Sequence, residues 1–269
     1  MLIKEYVDLE LQTIIDRFPK PKLLGTLKNN KIGVAYSFSG LSAKKESCPG
    51  MSKLCSSMCY DAFGQHVMLS SLGKSLRTRT WYTYLSITDI PLLEEQIKNE
   101  LYLMGTPQVR IHVGGDFGNI ELVKMWIRIV KEFAKGRSVT KFWGYTRSWR
   151  VPELYDSLVE LRDLPNMQLF ASVDVETGLP PDLRTKDNKS GWRIASMGIE
   201  YIPGLRTVRC LYEVSKNNKR LVPNCQKCGL CYNDVNVNID FELHGSQGIK
   251  NKKVMQELIK NSEWIARGI

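Results

Sequence analysis

The chain has 269 residues, 43% hydrophobic and 25% charged, which is the composition of a globular protein rather than a disordered or fibrous one. No run of about 18 apolar residues occurs, and charges within positions 1–10 break up any signal-peptide core, so we expect a cytoplasmic protein with no membrane partner. The formal net charge of +10 favours anionic partners such as nucleic acid, although a solvated Lys-rich surface is the alternative.

The amino-terminal part of the chain predicts three helices, one strand and one loop. Apolar residues at helical spacing indicate the helices, and alternating apolar residues indicate the strand. The loop is rich in Ser, Gly and Lys and contains the first cysteines. The predicted helices cover 3–18, 60–85 and 91–104, the strand covers 31–39 and the loop covers 40–58.

Beyond residue 105 the pattern alternates between strand and helix. Predicted strands cover 108–113, 139–145, 167–173 and 193–197, and predicted helices cover 119–134, 152–161 and 181–187. This alternation indicates a parallel sheet built of β-α-β units. We therefore expect an α/β fold, a partial or complete TIM-like barrel.

The chain is predicted to divide into a barrel-like core, residues 1–203, and a cysteine-rich extension, residues 204–269. The extension carries four cysteines, an alternating strand over 235–244 and an amphipathic helix over 250–267. The apolar stripe of that helix is typical of docking onto a core.

Polar and glycine residues follow several of the predicted strands. They are Gly114, Gly115, Asp116, Thr146, Arg147, Ser148, Ser172, Asp174 and Glu176. Ligands of parallel sheets bind where the strands end, so we expect these residues to form one site. Helix capping explains an isolated residue such as Ser148. It does not explain a Gly-Gly-Asp turn, an arginine and two further acids together.

Seven cysteines fall into two groups separated by 150 residues without cysteine. The first cysteine group is Cys48, Cys55 and Cys59, and the second cysteine group is Cys210, Cys225, Cys228 and Cys231. An odd number, no sign of export and a chain long enough for its own core argue against a disulfide framework. Metal-bound thiolates are the expected explanation.

The second group has the spacing C-x14-C-x2-C-x2-C. Zinc ribbons usually offer two separated C-x2-C pairs, whereas a repeated C-x2-C-x2-C loop is typical of iron–sulfur proteins. A [4Fe–4S] cluster is therefore expected here, with zinc as the alternative.

The first group, C-x6-C-x3-C, supplies only three thiolates. A four-iron cluster held by three cysteines leaves one iron open to a substrate or cofactor, as an open position does at catalytic zinc. Alternatively His66, Asp61, a residue upstream of Cys48 or a cysteine of the second group supplies a fourth ligand to a structural site.

Several short segments together resemble the bacteriophage gene product 88 family. They are Cys48-Pro49-Gly50 through Cys59-Tyr60, Arg110-Ile111-His112, Gly115-Asp116-Phe117, Tyr145-Thr146-Arg147-Ser148 and the second cysteine group. The resemblance covers roughly residues 30–245. It implies a viral protein acting in the cytoplasm of an infected or lysogenic host, and a metal-bearing fold more than a particular reaction.

The layout is also similar, more distantly, to radical S-adenosylmethionine (SAM) enzymes, which carry a three-cysteine loop after the first barrel strand. That resemblance implies that Gly114, Gly115 and Asp116 hold the SAM amino group. It implies that Arg147 binds the carboxylate and that Ser172 and Asp174 bind the ribose. Asp116 and Arg147 then become candidate catalytic residues, and the second group holds an auxiliary cluster. The cysteine loop is longer here than the C-x3-C-x2-C of those enzymes.

The sequence thus favours a phage iron–sulfur protein, radical SAM-like, whose three-cysteine cluster binds SAM or a small substrate. Reduction of such a cluster requires an electron donor. Two other hypotheses remain open. One is a phage nucleic-acid-binding protein with structural metal sites, and the other is an electron-transfer protein without chemistry of its own.

Overall fold

The computed structural model describes residues 21–23, 31–32, 35–42, 46–59, 61, 76–105, 107–135, 139–185, 187–199, 201–216, 219–242 and 252–267. The predicted helix 3–18, most of the predicted helix 60–85 and His66 lie outside these residues. Within the described ranges, no helix is both long enough and apolar enough to cross a bilayer.

Strands and short helices alternate along most of the chain. The strands are β1 (Tyr36–Ser37), β2 (Gln108–Ile111), β3 (Lys141–Thr146), β4 (Met167–Val173), β5 (Arg193–Met197), β6 (Thr207–Arg209), β7 (Ser215–Lys216), β8 (Lys219–Arg220) and β9 (Asn238–Phe241). The α-helices are α1 (Lys53–Met58), α2 (Arg77–Thr88), α3 (Ile90–Met104), α4 (Ile120–Glu132), α5 (Pro152–Arg162), α6 (Cys225–Cys228), α7 (Lys252–Lys260) and α8 (Glu263–Arg267). A 3₁₀ turn covers Ser148–Arg150.

Seven strands form one parallel sheet in the order β1-β2-β3-β4-β5-β9-β6. The predicted α/β fold with a parallel sheet is confirmed. The sheet is open: in the described part of the chain β1 and β6 are its edges and do not pair. The described residues therefore show no closed TIM barrel. Such a barrel closes with eight tilted strands, whereas the described sheet has seven.

Crossover helices cover one face of the sheet. Asn119 caps α4 by accepting a hydrogen bond from the Leu122 amide at 2.8 Å. The apolar side of α4, including Trp126, then packs on Phe142 of β3. Pro152 begins α5, where a missing amide proton costs nothing. These helices and α3 bury the larger apolar cluster of the protein.

Residues of the predicted extension cover the opposite face. Cys210 and Tyr212 pack there with Phe170 of β4 and Ala195 of β5. Strand β9 lies between β5 and β6, so two strands from beyond residue 203 belong to the same sheet as the core. A single sheet thus has crossover helices on one face and a cysteine-bearing segment on the other.

Some predicted elements differ from the structure. The predicted helix over 181–187 is wrong: the described residues there form a turn in which the Arg184 amide donates to the Trp192 carbonyl at 2.8 Å. The predicted loop 40–58 contains the short helix α1. The predicted carboxy-terminal helix is two helices, α7 and α8.

His112 ends β2 because its backbone turns into the left-handed region, with φ at 53°. Its imidazole is buried. Trp126 Nε1 donates to the Tyr82 hydroxyl at 2.9 Å, and that hydroxyl lies 2.8 Å from His112 Nε2. The Tyr82 hydroxyl therefore accepts from Trp126 and is also paired with His112. Burial lowers the pKa of His112 to about 3.

The buried neutral His112 predicts acid sensitivity. An ordinary histidine pKa is about 6.5, so the unfolded chain takes up this proton first, and stability falls as pH drops from about 6.5 towards 3. The expected loss between pH 7 and pH 5 is about 2 kcal/mol. His112→Asn, which tolerates a left-handed backbone, should lose less stability over that interval in urea unfolding. Equal losses in the two proteins would contradict this assignment.

Candidate cysteine sites

Asp116 joins the ends of β2 and β3. Its Oδ1 accepts from the Thr146 hydroxyl at 2.6 Å and from the Phe117 amide at 2.8 Å. Its Oδ2 accepts from the amides of Arg147 at 2.7 Å and Ser148 at 3.2 Å. Burial raises the pKa of this carboxyl, and the four hydrogen bonds oppose that shift. Both oxygens of Asp116 are therefore used in shaping the turn after β3.

A buried ion pair joins the end of β3 to the end of β4. Arg147 Nη2 lies 3.0 Å from Asp174 Oδ2, and both side chains are more than nine-tenths buried. Asp174 also accepts from the Ser52 hydroxyl at 2.6 Å, and its Oδ1 accepts from the Glu176 amide at 2.9 Å. Arg147 Nε is buried and has no hydrogen-bond partner among the residues that the structure describes.

The same polar residues hold the first cysteine group against the carboxyl edge, where the parallel strands end. Ser52 caps α1, and its hydroxyl accepts from the Cys55 amide at 2.9 Å while donating to Asp174. The Leu54 amide donates to Glu176 at 3.0 Å. The orientation of the cysteine helix is therefore fixed by two acids that follow β4.

Close backbone contacts seat the loop before α1. Arg150 donates to the Gly50 carbonyl at 3.0 Å, and a side chain at Gly50 would overlap the Arg147 carbonyl. Likewise, a side chain at Gly118 would overlap the Glu46 carbonyl, and the Asp116 amide donates to the Ser47 carbonyl at 2.7 Å. Glycine is required where backbones approach this closely.

Cys55 lies in a mixed electrostatic environment. Burial raises the pKa of its thiol, the Arg147 guanidinium lowers it, and Cys59, Asp174 and Asp116 each raise it. Cys48 begins the turn that leads to α1, where its carbonyl accepts from the Met51 amide at 3.1 Å. The structure thus brings Cys55 and Cys59 to one place at the carboxyl edge, together with Arg147, Asp116 and Asp174.

The carboxy-terminal helices cover α1 from outside. Met255 of α7 is fully buried against Leu54 and Met58 of α1. In α8, Trp264 Nε1 donates to the Val175 carbonyl at 3.0 Å. Of the predicted apolar stripe, Ile259, Trp264 and Ile265 pack on the core, whereas Val254 and Leu258 are exposed. The segment docks on the first cysteine helix.

The second cysteine group lies on the sheet face opposite the crossover helices. Cys210 follows β6, and its amide donates to the Asp240 carbonyl of β9 at 2.8 Å. Asn224 caps α6, which carries Cys225 and Cys228 and ends at the left-handed Gly229. Cys231 packs against Trp143 and Phe170 in the clusters beneath. Cys210 and Cys231 therefore pack over β3 and β4, and Cys225 lies close enough to Cys231 to affect the pKa of its thiol.

Burial raises the pKa of the Cys210 and Cys225 thiols. It raises the pKa of the Cys231 thiol to about 12. Cations oppose the shift. Arg110 and Lys31 lower the pKa of Cys225, while a hydrogen bond from Tyr145 and the charge of Arg193 lower that of Cys231.

Arg193 anchors the segment that bears Cys231. Its guanidinium donates to the carbonyls of Val237 at 2.9 Å, Asn233 at 3.2 Å and Leu230 at 2.8 Å. The same group stacks on the Phe170 ring at 4.1 Å. The loop that bears Cys231 is therefore tied to the first residue of β5.

Among the residues that the structure describes, no three His, Cys, Asp or Glu side chains converge closely enough to hold a single metal ion. The predicted ribose ligand Ser172 lies on the same face as Phe170, two residues earlier in β4, and its carbonyl accepts from Trp149 Nε1 at 3.1 Å. Asp116, Arg147 and Asp174 come together as predicted, and they interact with one another. Asp116 accepts a hydrogen bond from the Arg147 amide, and the Arg147 guanidinium forms an ion pair with Asp174.

Sequence reasoning missed Ser52, Tyr145 and Arg193. Ser52 has a local signal, a serine directly before a short helical stretch. Its contact with Asp174, 122 residues away, has none. Tyr145 and Arg193 have the appearance of strand residues, and only the fold places them beside Cys231.

Gly50→Ala tests the close seating of the first cysteine loop. The added methyl group must displace the Arg147 carbonyl, so we expect a loss of about 3 kcal/mol, the upper range for overpacking. Gly105→Ala is the control: that site has open space, and its left-handed backbone alone should cost about 1 kcal/mol. Chemical unfolding measures both, and equal losses would argue against a tight contact at Gly50.

Comparison with known proteins gives relatives from phages. The Gene 88 protein of Mycobacterium phage D29 is 26% identical over 218 residues, 76% of this chain and 86% of that protein. The Gene 88 protein of Mycobacterium phage L5 is 24% identical over 216 residues, with the same coverage. No solved structure matches. The family model for Gene product 88 matches residues 15–234, so the chain belongs to the gene product 88 family.

Proposed function

We propose that this protein is an iron–sulfur protein with two centres, of which the first is open to a small ligand. The observation that carries the proposal is that Cys55 and Cys59 lie together at one place on the sheet, and Cys210, Cys225 and Cys231 at another, all of them free thiols. The first group lies at the carboxyl edge, where ligands of parallel sheets bind. The second lies on the sheet face that the crossover helices leave free.

The donor sets fit iron–sulfur clusters better than single zinc ions. Zinc ribbons usually offer two separated C-x2-C pairs, whereas Cys225, Cys228 and Cys231 repeat the spacing C-x2-C-x2-C of iron–sulfur loops. Thiolates of a four-iron cluster each bind a different iron and so surround a larger volume. Cys210, Cys225, Cys228 and Cys231 would hold one cluster, and Cys48, Cys55 and Cys59 the other. When bound, such clusters supply one-electron transfer.

Arg147 supports an anionic ligand at the first centre. Its guanidinium is buried beside Cys55, and its Nε has no hydrogen-bond partner among the described residues. Such a donor favours a carboxylate or phosphate. The carboxylate of SAM is the candidate that follows from the three-cysteine arrangement. Asp116, with both oxygens used by the β3 turn, would position Arg147 rather than bind the ligand.

The proposal also covers the architecture of the sheet and the place where the protein acts. Consecutive strands β1 to β5 with crossover helices on one face have the winding of a β/α barrel that has not closed. The proposed place of action is the cytoplasm of the infected cell, and reduction of the clusters would require an electron donor there.

Metal analysis of oxygen-free protein tests the proposal. Two four-iron clusters predict about eight irons per chain and a broad absorbance near 400 nm. Cys55→Ala and Cys228→Ala should each remove about half of the iron, since each variant loses one cluster. Ser57→Ala, an exposed change in α1, should remove none.

Zinc without iron would overturn the proposal. It would then favour nucleic-acid binding by the +10 chain, for which affinity falls steeply with salt. Complete bleaching by either cysteine variant would contradict two independent centres.

SAM titration tests the open position of the first centre. SAM should change the spectrum of the reduced wild-type protein, and Arg147→Gln should weaken its apparent affinity at least tenfold, because a charge-assisted hydrogen bond is lost. Arg128→Gln on the outer surface of α4 is the control. A SAM response that Arg147→Gln leaves unchanged would remove Arg147 from the site.

A further inference from the structure

A cavity of about 330 Å³ opens at the amino edge of the sheet, where the parallel strands begin. Met167 and Arg193, the first residues of β4 and β5, both line it. Its other walls include the turn after α5, Arg184, residues 189–191 and Asp234. No cysteine of the described chain lines this cavity, so it is separate from both cysteine groups. Its volume falls within the range of small-molecule binding pockets.

The walls of the cavity carry more positive than negative charge. The lining residues include four cations and two acids, namely Arg162, Arg184, Lys189 and Arg193 with Asp163 and Asp234. Each acid already pairs with an arginine. Asp163 Oδ1 lies 2.7 Å from Arg162 Nε, and Asp234 Oδ1 lies 2.7 Å from Arg184 Nη2. The lining residues therefore have an excess of two positive charges, one on Lys189 and one on Arg193.

Arg193 is almost fully buried, yet it has no carboxylate partner among the described residues. Its four hydrogen bonds go to neutral acceptors, three backbone carbonyls and Gln168 Oε1. A guanidinium has five N–H donors, so one is left over in the described part of the chain. Burial lowers the pKa of Arg193 to about 10, and the charge of Arg184 acts in the same direction. An anion in the cavity would offset the repulsion between these two guanidiniums.

Arg184 and Lys189 are the cations placed to contact such an anion. The partner of Arg184 is Asp234, whose side chain is 66% exposed, and an ion pair in contact with water stabilises little. Arg184 can therefore bind a second anion at small cost. Lys189 is exposed, and it forms no ion pair with the residues that the structure describes.

The loop that bears Lys189 is held in shape by its own hydrogen bonds. Asn188 Oδ1 accepts from the Ser190 amide at 3.2 Å and from the Ser190 hydroxyl at 3.1 Å. A side chain at Gly191 would overlap the Leu183 carbonyl, so this part of the loop packs closely on the preceding turn. The wall of the cavity is therefore formed before any ligand binds.

We propose that this cavity binds a small organic phosphate, such as a nucleoside monophosphate, through Arg184 and Lys189. A phosphate monoester carries about two negative charges at neutral pH, which match the excess charge of the walls. Arginine is suited to phosphate because its planar guanidinium donates two parallel hydrogen bonds. Leu164, Pro165 and Met167 also line the cavity and offer an apolar surface to the organic group. The site goes beyond the proposed function and does not depend on bound metal.

Calorimetric titration of the full chain with adenosine monophosphate (AMP) tests the proposal, with inorganic phosphate as a second probe. The wild-type protein should bind AMP, and should bind phosphate more weakly because phosphate makes no apolar contact. Arg184→Gln should weaken AMP binding about tenfold, since a charge-assisted hydrogen bond is lost. Lys189→Gln changes an exposed side chain and should also weaken it. Arg128→Gln, which removes an arginine from an ion pair on α4, should leave the affinity unchanged.

Thermal unfolding without ligand shows whether each variant is folded, and Lys189→Gln decides the matter if Arg184→Gln is not. A wild-type protein that does not bind AMP would overturn the proposal, and so would wild-type affinity in folded Arg184→Gln and Lys189→Gln. Equal weakening by Arg128→Gln would overturn it as well, because net charge alone would then explain the effect. Binding of a single-stranded oligonucleotide without binding of AMP would overturn the small ligand and favour a nucleic-acid surface. Equal affinities for AMP and phosphate would overturn the apolar contact.

Discussion

The buried pair of Arg147 and Asp174 is the interaction on which the carboxyl edge depends. Each charge is almost fully removed from water, so neither is tolerable without the other. Asp116 fixes the backbone from which Arg147 projects, and Asp174 holds Ser52 at the start of the cysteine helix. One network therefore determines the shape of two strand ends and the position of Cys55.

The second cysteine group depends on a different constraint, the free face of an open sheet. In a closed barrel that face would surround an interior filled by side chains. Here residues after β6 cover it, and Cys231 packs against the same apolar cluster as Tyr145 of β3. The insertion of β9 between β5 and β6 anchors this covering segment within the sheet. The two cysteine groups consequently lie on either side of the end of β3.

The chain matches the gene product 88 family over residues 15–234, a range that contains both cysteine groups. The carboxy-terminal helices lie beyond that range, yet Met255 and Trp264 pack around α1 and the end of β4. The first cysteine helix, α1, is therefore enclosed between residues inside the range that matches the family and two helices outside that range.

The sequence by itself determined the parallel α/β sheet, because strand and helix periodicities depend on local side-chain order. Met167–Val173 and Arg193–Met197 have the bounds that their apolar runs predicted. It also determined that Asp116, Arg147 and Asp174 would meet, since parallel strands end at one edge. Only the tertiary structure decided that these residues bond each other, that the described sheet is open and that Tyr145 and Cys231 pack against one cluster. Those contacts join residues far apart in the chain. No local sequence pattern specifies which buried polar group forms a hydrogen bond or ion pair with which other group.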